Sequence, residues 1–266
     1  MSELIRIVGV RFLNARPLLA GVEAGIDAPF PYRFEAAEPS VCADRVAARE
    51  AEVGLVPAAA LPLVEGLRAV PSLGVAARGK VRSVLLISRV PLERVQTLAA
   101  HTASRTSVTL ARLLLAERWG ASPNVVPSRP PLDTMLETAD AAVIIGDPAL
   151  AVHGRSGLLE VDLAGAWAEW SGLPFVFAVW GVGPMRRRGL ESLLERSLEY
   201  AEEHWLELVP TWARAHGVSV DQTREYLGKT LTFRLQEPER AGMLEFLRRA
   251  AAAGLLPRCG EVWHAA

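Results

Sequence analysis

A chain of 266 residues, half of them hydrophobic, with 29 Lys and Arg against 30 Asp and Glu, carries enough apolar material for one large domain or two smaller ones. The near-neutral balance and the lack of a basic stripe argue against a nucleic-acid partner. No run approaches the roughly 18 apolar residues of a membrane span, and two cysteines, Cys42 and Cys259, give neither a disulfide framework nor a metal spacing.

The N-terminal residues lack the basic region, apolar run and small-residue cleavage site of a secretion signal, so a cytoplasmic location is expected. Residues 4–10 form a short apolar strand ending at Gly9-Val10, and Pro17 suits the first turn of a helix that follows. A second strand covers 32–37. Ser40 is the expected N-cap of a helix over 41–48, and 53–56 is a third strand stopped by Pro57. This alternation predicts a parallel sheet. Residues 81–88 and 174–182 are two long β-rich stretches. Between them a second β/α series runs through 97–101, 105–119, 124–126, 132–139, 141–145 and 149–153. The remainder is helical, over 190–215, 219–227 and 238–252, with Trp205 and Trp212 spaced as core anchors on one face.

This order predicts an α/β protein of two lobes. The first comprises 1–88 with the helical tail 181–266, and the second is an inserted β/α lobe over 89–180. Ligands of open α/β sheets bind beyond the carboxyl ends of the strands, which here becomes the cleft between lobes. The residues brought there are Asn14 and Arg16, the turn 102–107, and Gly146 with Asp147.

The turn is the strongest chemical signal. Thr102-Ala-Ser-Arg-Thr-Ser107 joins a strand to a helix, placing four hydroxyls and the Arg105 guanidinium at a helix start. The first helical turn has free N–H groups and a partial positive charge, so such a turn suits a carboxylate or phosphate. Plain capping would need only one hydroxyl. Asn14 offers an amide to a ligand or to its own turn. Arg16 suits a carboxylate or a surface role, and Ser83, inside a β-rich stretch, must find a partner in the cleft or on a neighbouring carbonyl. Gly146 permits close backbone approach, while Asp147, before Pro148, either caps a helix or bonds a ligand hydroxyl. Residues 172–180, apolar with two Phe and one Trp, suit a pocket wall for a flat ring or a crossing strand buried on both faces, the latter for most of the stretch. Arg186-Arg-Arg188 reads as a solvated turn. Dinucleotide, P-loop, nucleophile-elbow and zinc-protease signatures are absent, as is any His-x-x-x-His pair, so no cofactor or metal is expected.

Taken together in order, Phe12-Leu-Asn-Ala-Arg-Pro-Leu18, Val53-Gly-Leu-Val-Pro57, Val81-Arg-Ser-Val84, Ser104-Arg-Thr-Ser107, Ile145-Gly-Asp147 and Gly172–Trp180 resemble the chorismate dehydratases of the futalosine route to menaquinone. The resemblance runs over residues 5–182; the helical tail carries no usable motif. It implies a type II periplasmic-binding-protein-like fold. It also implies cofactor-free conversion of chorismate to 3-[(1-carboxyvinyl)oxy]benzoate and water. The ligand contacts it implies fall on Asn14, Ser83, Ser104, Arg105, Thr106, Ser107, Gly146 and Asp147; His101, just before the turn, receives no role. Two other functions share the pattern: 1,4-dihydroxy-6-naphthoate synthesis in the same pathway, and plain solute binding.

Overall fold

In a computed structural model of the chain, residues 4–102, 104–154, 157–184 and 188–264 are described. The first lobe begins with β1 (Ile5–Val10), α1 (Arg16–Ala24), β2 (Tyr32–Ala37), α2 (Pro39–Ala47) and β3 (Val53–Pro57). As the alternation predicts, β1 lies between β2 and β3 and is parallel to both. Ile5, Ile7, Val8 and Val10 are buried, the run expected of a strand covered on both faces. Helix α2 starts at Pro39, earlier than an N-cap at Ser40 would set it, because Pro39 supplies a helical φ at the first position.

Next comes β4 (Arg68–Ala77), which the sequence pattern missed: Pro71 and Gly74 break its strand signal. The chain then crosses to the second lobe, made of β5 (Val84–Ser88), β6 (Thr97–His101), α3 (Thr106–Trp119), β7 (Asn124–Ser128), α4 (Leu132–Glu137), β8 (Ala141–Ile145), α5 (Asp147–Val152), β9 (Leu159–Asp162) and α6 (Leu163–Ser171). Its sheet runs β7-β6-β8-β5-β9, with β5 antiparallel to both neighbours. The chain returns in β10 (Phe175–Val182), followed by α7 (Leu190–Glu203), α8 (Trp205–His216), α9 (Val220–Glu225), a π-helical turn over Tyr226–Thr230, β11 (Thr232–Arg234) and α10 (Glu237–Ala252). The first lobe's sheet is therefore β11-β4-β10-β3-β1-β2.

Strand pairing puts β5 in the second sheet and β10 in the first. The sheets thus part at residues 78–83 and 163–174, not after 88 and 180 as the sequence suggested. The error arises because membership of a sheet is set by pairing: β8 and β9, the partners of β5, lie more than fifty residues further along the chain. Residues 81–83 are consequently a connector. Asp162 ties it down, its Oδ2 accepting from the N–H groups of Val81 at 2.8 Å and Arg82 at 2.6 Å, while Oδ1 caps α6 through Gly165 N–H. Arg82 holds a φ of 62° there.

The return crossing is fixed by an aromatic joint. Trp167 of α6, Phe175 of β10 and Phe246 of α10 meet edge to face, with centroids 5.1–6.1 Å apart, and Trp167 Nε1 donates to Pro174 O at 3.1 Å. Each such pair adds about 0.5–1.5 kcal/mol beyond its buried area. Helix α7 lies along α1 so closely that a Cβ on Gly21 would stand 2.5 Å from Ser197 Cα. The buried Ser197 hydroxyl accepts from the Gly21 and Val22 N–H groups and donates to Leu18 O. Trp205 and Trp212 do meet, edge to face at 6.3 Å, with Trp212 buried and Trp205 half-buried. The run at 186–188 lies largely outside the described residues. Among those residues no helix is long and apolar enough to cross a membrane.

Candidate active site

Between the lobes lies a cleft of about 490 Å³, open at its mouth. The first lobe supplies Val10 at the end of β1, Phe12, Asn14 and Ala15 beyond it, Pro39 at the start of α2, Leu55 and Pro57 of β3, Val75 of β4, and Phe177 and Ala178 of β10. The second lobe supplies Val84, Ser104, Thr106, Ser107, Ile145 and Gly146. Every one of these side chains is uncharged. The polar groups are the Asn14 amide and the hydroxyls of Ser104, Thr106 and Ser107 at the start of α3, with Pro39 at the start of α2 contributed by the other lobe. Two helix N-termini from opposite lobes thus border a low-dielectric cleft, an arrangement that favours an anion without a cationic side chain.

The hydroxyl turn is built from the end of β6. That strand stops at His101, whose carbonyl accepts from Ser104 N–H at 2.9 Å. Ser104 Oγ then accepts from Ser107 N–H at 3.2 Å, so Ser104, one residue before the N-cap Arg105, occupies an N–H group of the first turn of α3. Thr106 Oγ1 accepts from Ala59 N–H of the first lobe at 3.2 Å, which leaves its hydroxyl proton for a ligand. Beneath the turn the His101 ring is buried; loss of hydration, with the Arg129 charge nearby, pulls its pKa down to about 4 and keeps it neutral at pH 7.

Asn14, Ser104, Thr106, Ser107 and Gly146 therefore converge as the sequence suggested. Four other candidates are placed elsewhere. Arg105 points away from the cleft to Asp44 of α2, an ion pair joining the lobes. Arg16 pairs with Glu23, two turns along α1, at 2.9 Å. Ser83 sits in the connector, buried, its Oγ accepting from Tyr226 Oη at 2.5 Å. Asp147 is the first residue of α5, whose N-cap is Gly146; its carboxylate turns to the reverse side, accepting from Leu13 N–H at 3.2 Å and meeting His216 Nδ1 at 2.6 Å. Gly146 lines the cleft, while the helix that begins at Asp147 carries that carboxylate to the reverse side. Gly146 adopts φ 66°, ψ −145°, and its missing side chain admits the Phe12 ring, which a Cβ would meet at 3.0 Å.

Sequence reasoning missed the apolar wall contributed by Val75, and of residues 172–180, read mainly as a crossing strand with a pocket wall as the alternative, the cleft takes Phe177 and Ala178. Val75 lies on the missed strand. Phe177 and Ala178 both reach the cleft because β10 shifts register between Val176 and Ala178, which no alternation pattern records. It also missed His216 and Tyr226, which lie in the tail with no motif around them.

A profile of the menaquinone biosynthesis family matches residues 5–252. The chain is 32% identical over 211 residues to a chorismate dehydratase of Thermus thermophilus, covering 72% of this chain and 75% of that protein. The chain belongs to the chorismate dehydratase family of menaquinone biosynthesis. A chorismate dehydratase of Campylobacter jejuni is 25% identical over 117 residues, 44% of this chain and 52% of that one. Among solved structures, protein AF1704 of Archaeoglobus fulgidus superposes with a TM-score of 0.78 at 17% identity, covering 95% of this chain and 98% of that one. The alkanesulfonate-binding protein SsuA of Xanthomonas axonopodis, bound to MOPS, superposes with a TM-score of 0.67 at 15% identity over the whole of both chains. The fold is thus that of the two-lobed periplasmic binding proteins, as the sequence resemblance implied.

Proposed function

We propose that the chain is a chorismate dehydratase and that the uncharged cleft is where it converts chorismate to 3-[(1-carboxyvinyl)oxy]benzoate and water. Family membership and the two helix starts that border the cleft support this reading, since chorismate carries two carboxylates. The single observation that carries the mechanism is that no ionisable side chain lines the cleft among the described residues.

The C3 proton of chorismate is acidified by the ring carboxylate through the C1–C2 double bond. With no carboxylate or imidazole of the described residues facing the cleft, the substrate's own enolpyruvyl carboxylate takes that proton. The C3–H electrons flow through C2 and C1 onto the ring carboxylate, where donors aimed at the growing charge lower the barrier as an oxyanion hole does. The electrons then return to form the C3–C4 double bond as the C4 hydroxyl leaves. It takes the proton from the enolpyruvyl carboxylate and departs as water, leaving an aromatic ring. Asn14 supplies the catalytic amide contact, and Ser104, Thr106 and Ser107 with the α3 N-terminus hold a carboxylate. The protein's contribution is orientation and a dry surround. On this reading the enzyme works in the cytoplasm, beside its biosynthetic substrate.

The test is incubation of purified protein with chorismate and mass spectrometry of the products. The expected outcome is an aromatic product lighter than chorismate by one water. Binding of chorismate without product would make the chain a solute-binding protein, and turnover only after addition of a metal or nucleotide would contradict the cofactor-free mechanism.

A further inference from the structure

We infer that the C-terminal helices brace the two walls of the cleft, and that His216 is a positioning residue for the Asn14 loop. This rests on the reading of the cleft above. His216 is the last residue of α8, and Gly217 turns the chain away at φ 65°. Its Nδ1 holds one oxygen of Asp147 at 2.6 Å, and the other oxygen of Asp147 accepts from Leu13 N–H at 3.2 Å. Leu13 stands between Phe12 and Asn14, which both line the cleft. The link therefore runs from the tail, through a second-lobe carboxylate, to the first-lobe loop that carries the catalytic amide.

The tail grips the second lobe at another point nearby. Tyr226, in the π-helical turn, donates to Ser83 Oγ, and Ser83 O accepts from Gly146 N–H at 2.8 Å. Both grips end beside cleft residues, Gly146 and Val84. At its other end the tail is anchored to the first lobe, where the Ser197 hydroxyl of α7 binds the backbone of α1. Besides Asp147, His216 faces Glu23 of α1, itself held by Arg16 at 2.9 Å; burial pushes the Glu23 carboxyl up against the pull of that guanidinium. A carboxylate held at both oxygens has one orientation, and that orientation sets where Leu13 sits. Groups that orient metal ligands from behind change activity by about 10- to 100-fold when removed, and the lower end of that range is taken for His216, which orients an amide loop.

The experiment compares His216→Ala, His216→Gln and His216→Asn with the parent chain by two readouts: amide hydrogen exchange at Leu13 without substrate, and kcat and KM for chorismate. An Asn amide nitrogen occupies nearly the place of Nδ1, whereas a Gln nitrogen occupies the place of Nε2. We expect Ala and Gln to speed Leu13 exchange and to lower kcat/KM by about tenfold, and Asn to restore both. Unchanged exchange in Ala and Gln, or losses that Asn does not reverse, would overturn the inference and leave His216 a packing residue. Exchange is read on the free protein, so its outcome does not depend on whether Asn14 is the catalytic contact. A failed Asn14 assignment would instead show as altered exchange with unaltered turnover, which overturns the positioning role as well.

Discussion

The cleft and the groove on its reverse side are separated by a single peptide, Gly146 to Asp147, yet they have opposite chemistry. The cleft holds an amide, three hydroxyls and helix N-termini against apolar walls. The groove holds Arg82, Asp147, His153, His216, Glu225 and the phenol of Tyr226. In the groove the charges are spent on each other: Asp147 meets His216, Arg82 faces Glu225 at 3.5 Å, and His153 pairs with Glu160. The lesson is that ionisable residues here hold the lobes and connector, while neutral dipoles are left for the ligand. A full charge in the cleft would be costly when the substrate is absent, whereas fixed N–H dipoles persist at little cost.

The most severe way to break this contrast is to put an anion into the neutral wall. An Asp at 104 can still accept from Ser107 N–H, so Ser104→Asp should keep α3 folded, with the thermal midpoint lowered because the charge enters an uncharged cleft. Facing a substrate carboxylate, like charge costs several kcal/mol, and chorismate affinity should fall by at least about 1,000-fold. Near-normal binding by calorimetry would place the carboxylate elsewhere. Next in size, Asn14→Ala should lower kcat by about 10²–10³ with a much smaller change in KM, as for a lost oxyanion donor.

His101 tests the neutral side through stability. Its pKa of about 4 in the folded chain lies below the ordinary histidine value of 6.5. Between those values the unfolded chain binds more protons, so His101's contribution is full above about pH 6.5 and is lost as the pH falls toward 4. A shift of this size corresponds to up to about 3 kcal/mol. Urea unfolding of His101→Gln should therefore show a shallower loss of stability over that window than the parent. Equal slopes would mean that the ring is hydrated. Smaller again, Thr106→Ala should weaken chorismate binding by about 10- to 100-fold through one lost bond to a charged group, and Thr106→Ser should retain it.

Much of this was legible in the sequence. Parallel β1–β3 follows from apolar runs alternating with helix starts, and the place of the hydroxyl turn at the cleft from hydroxyls crowded before Val108-Thr-Leu. The strand membership of β5 and β10 was not, because pairing partners lie dozens of residues away and hydrophobicity alone does not mark a crossing. Nor were the directions of Arg16, Arg105 and Asp147. Proximity to a strand end says that a residue is near the cleft, but the pleat and the available partner decide which way it points. Arg105 had Asp44, and Asp147 had His216; neither partner is near in sequence.

The finest distinction between the two sides is drawn by Asp147→Asn. If Asp147 were the base that removes the C3 proton, an amide at that position would abolish turnover in a folded protein. The structure turns the carboxylate away from the cleft and gives both oxygens partners. In the variant, the oxygen of the new amide still accepts from Leu13 N–H, and its nitrogen can donate to His216 once the imidazole carries its proton on Nε2. The connection from tail to loop survives with one bond weakened from charge-assisted to neutral, a loss on the order of 1 kcal/mol. The expected fall in kcat/KM is therefore less than about tenfold, with the pH dependence of kcat unchanged in shape. Steady-state kinetics of Asp147→Asn beside Asn14→Ala decides the matter: a dead Asp147→Asn with a nearly normal Asn14→Ala would move the chemistry from the neutral wall to the charged one.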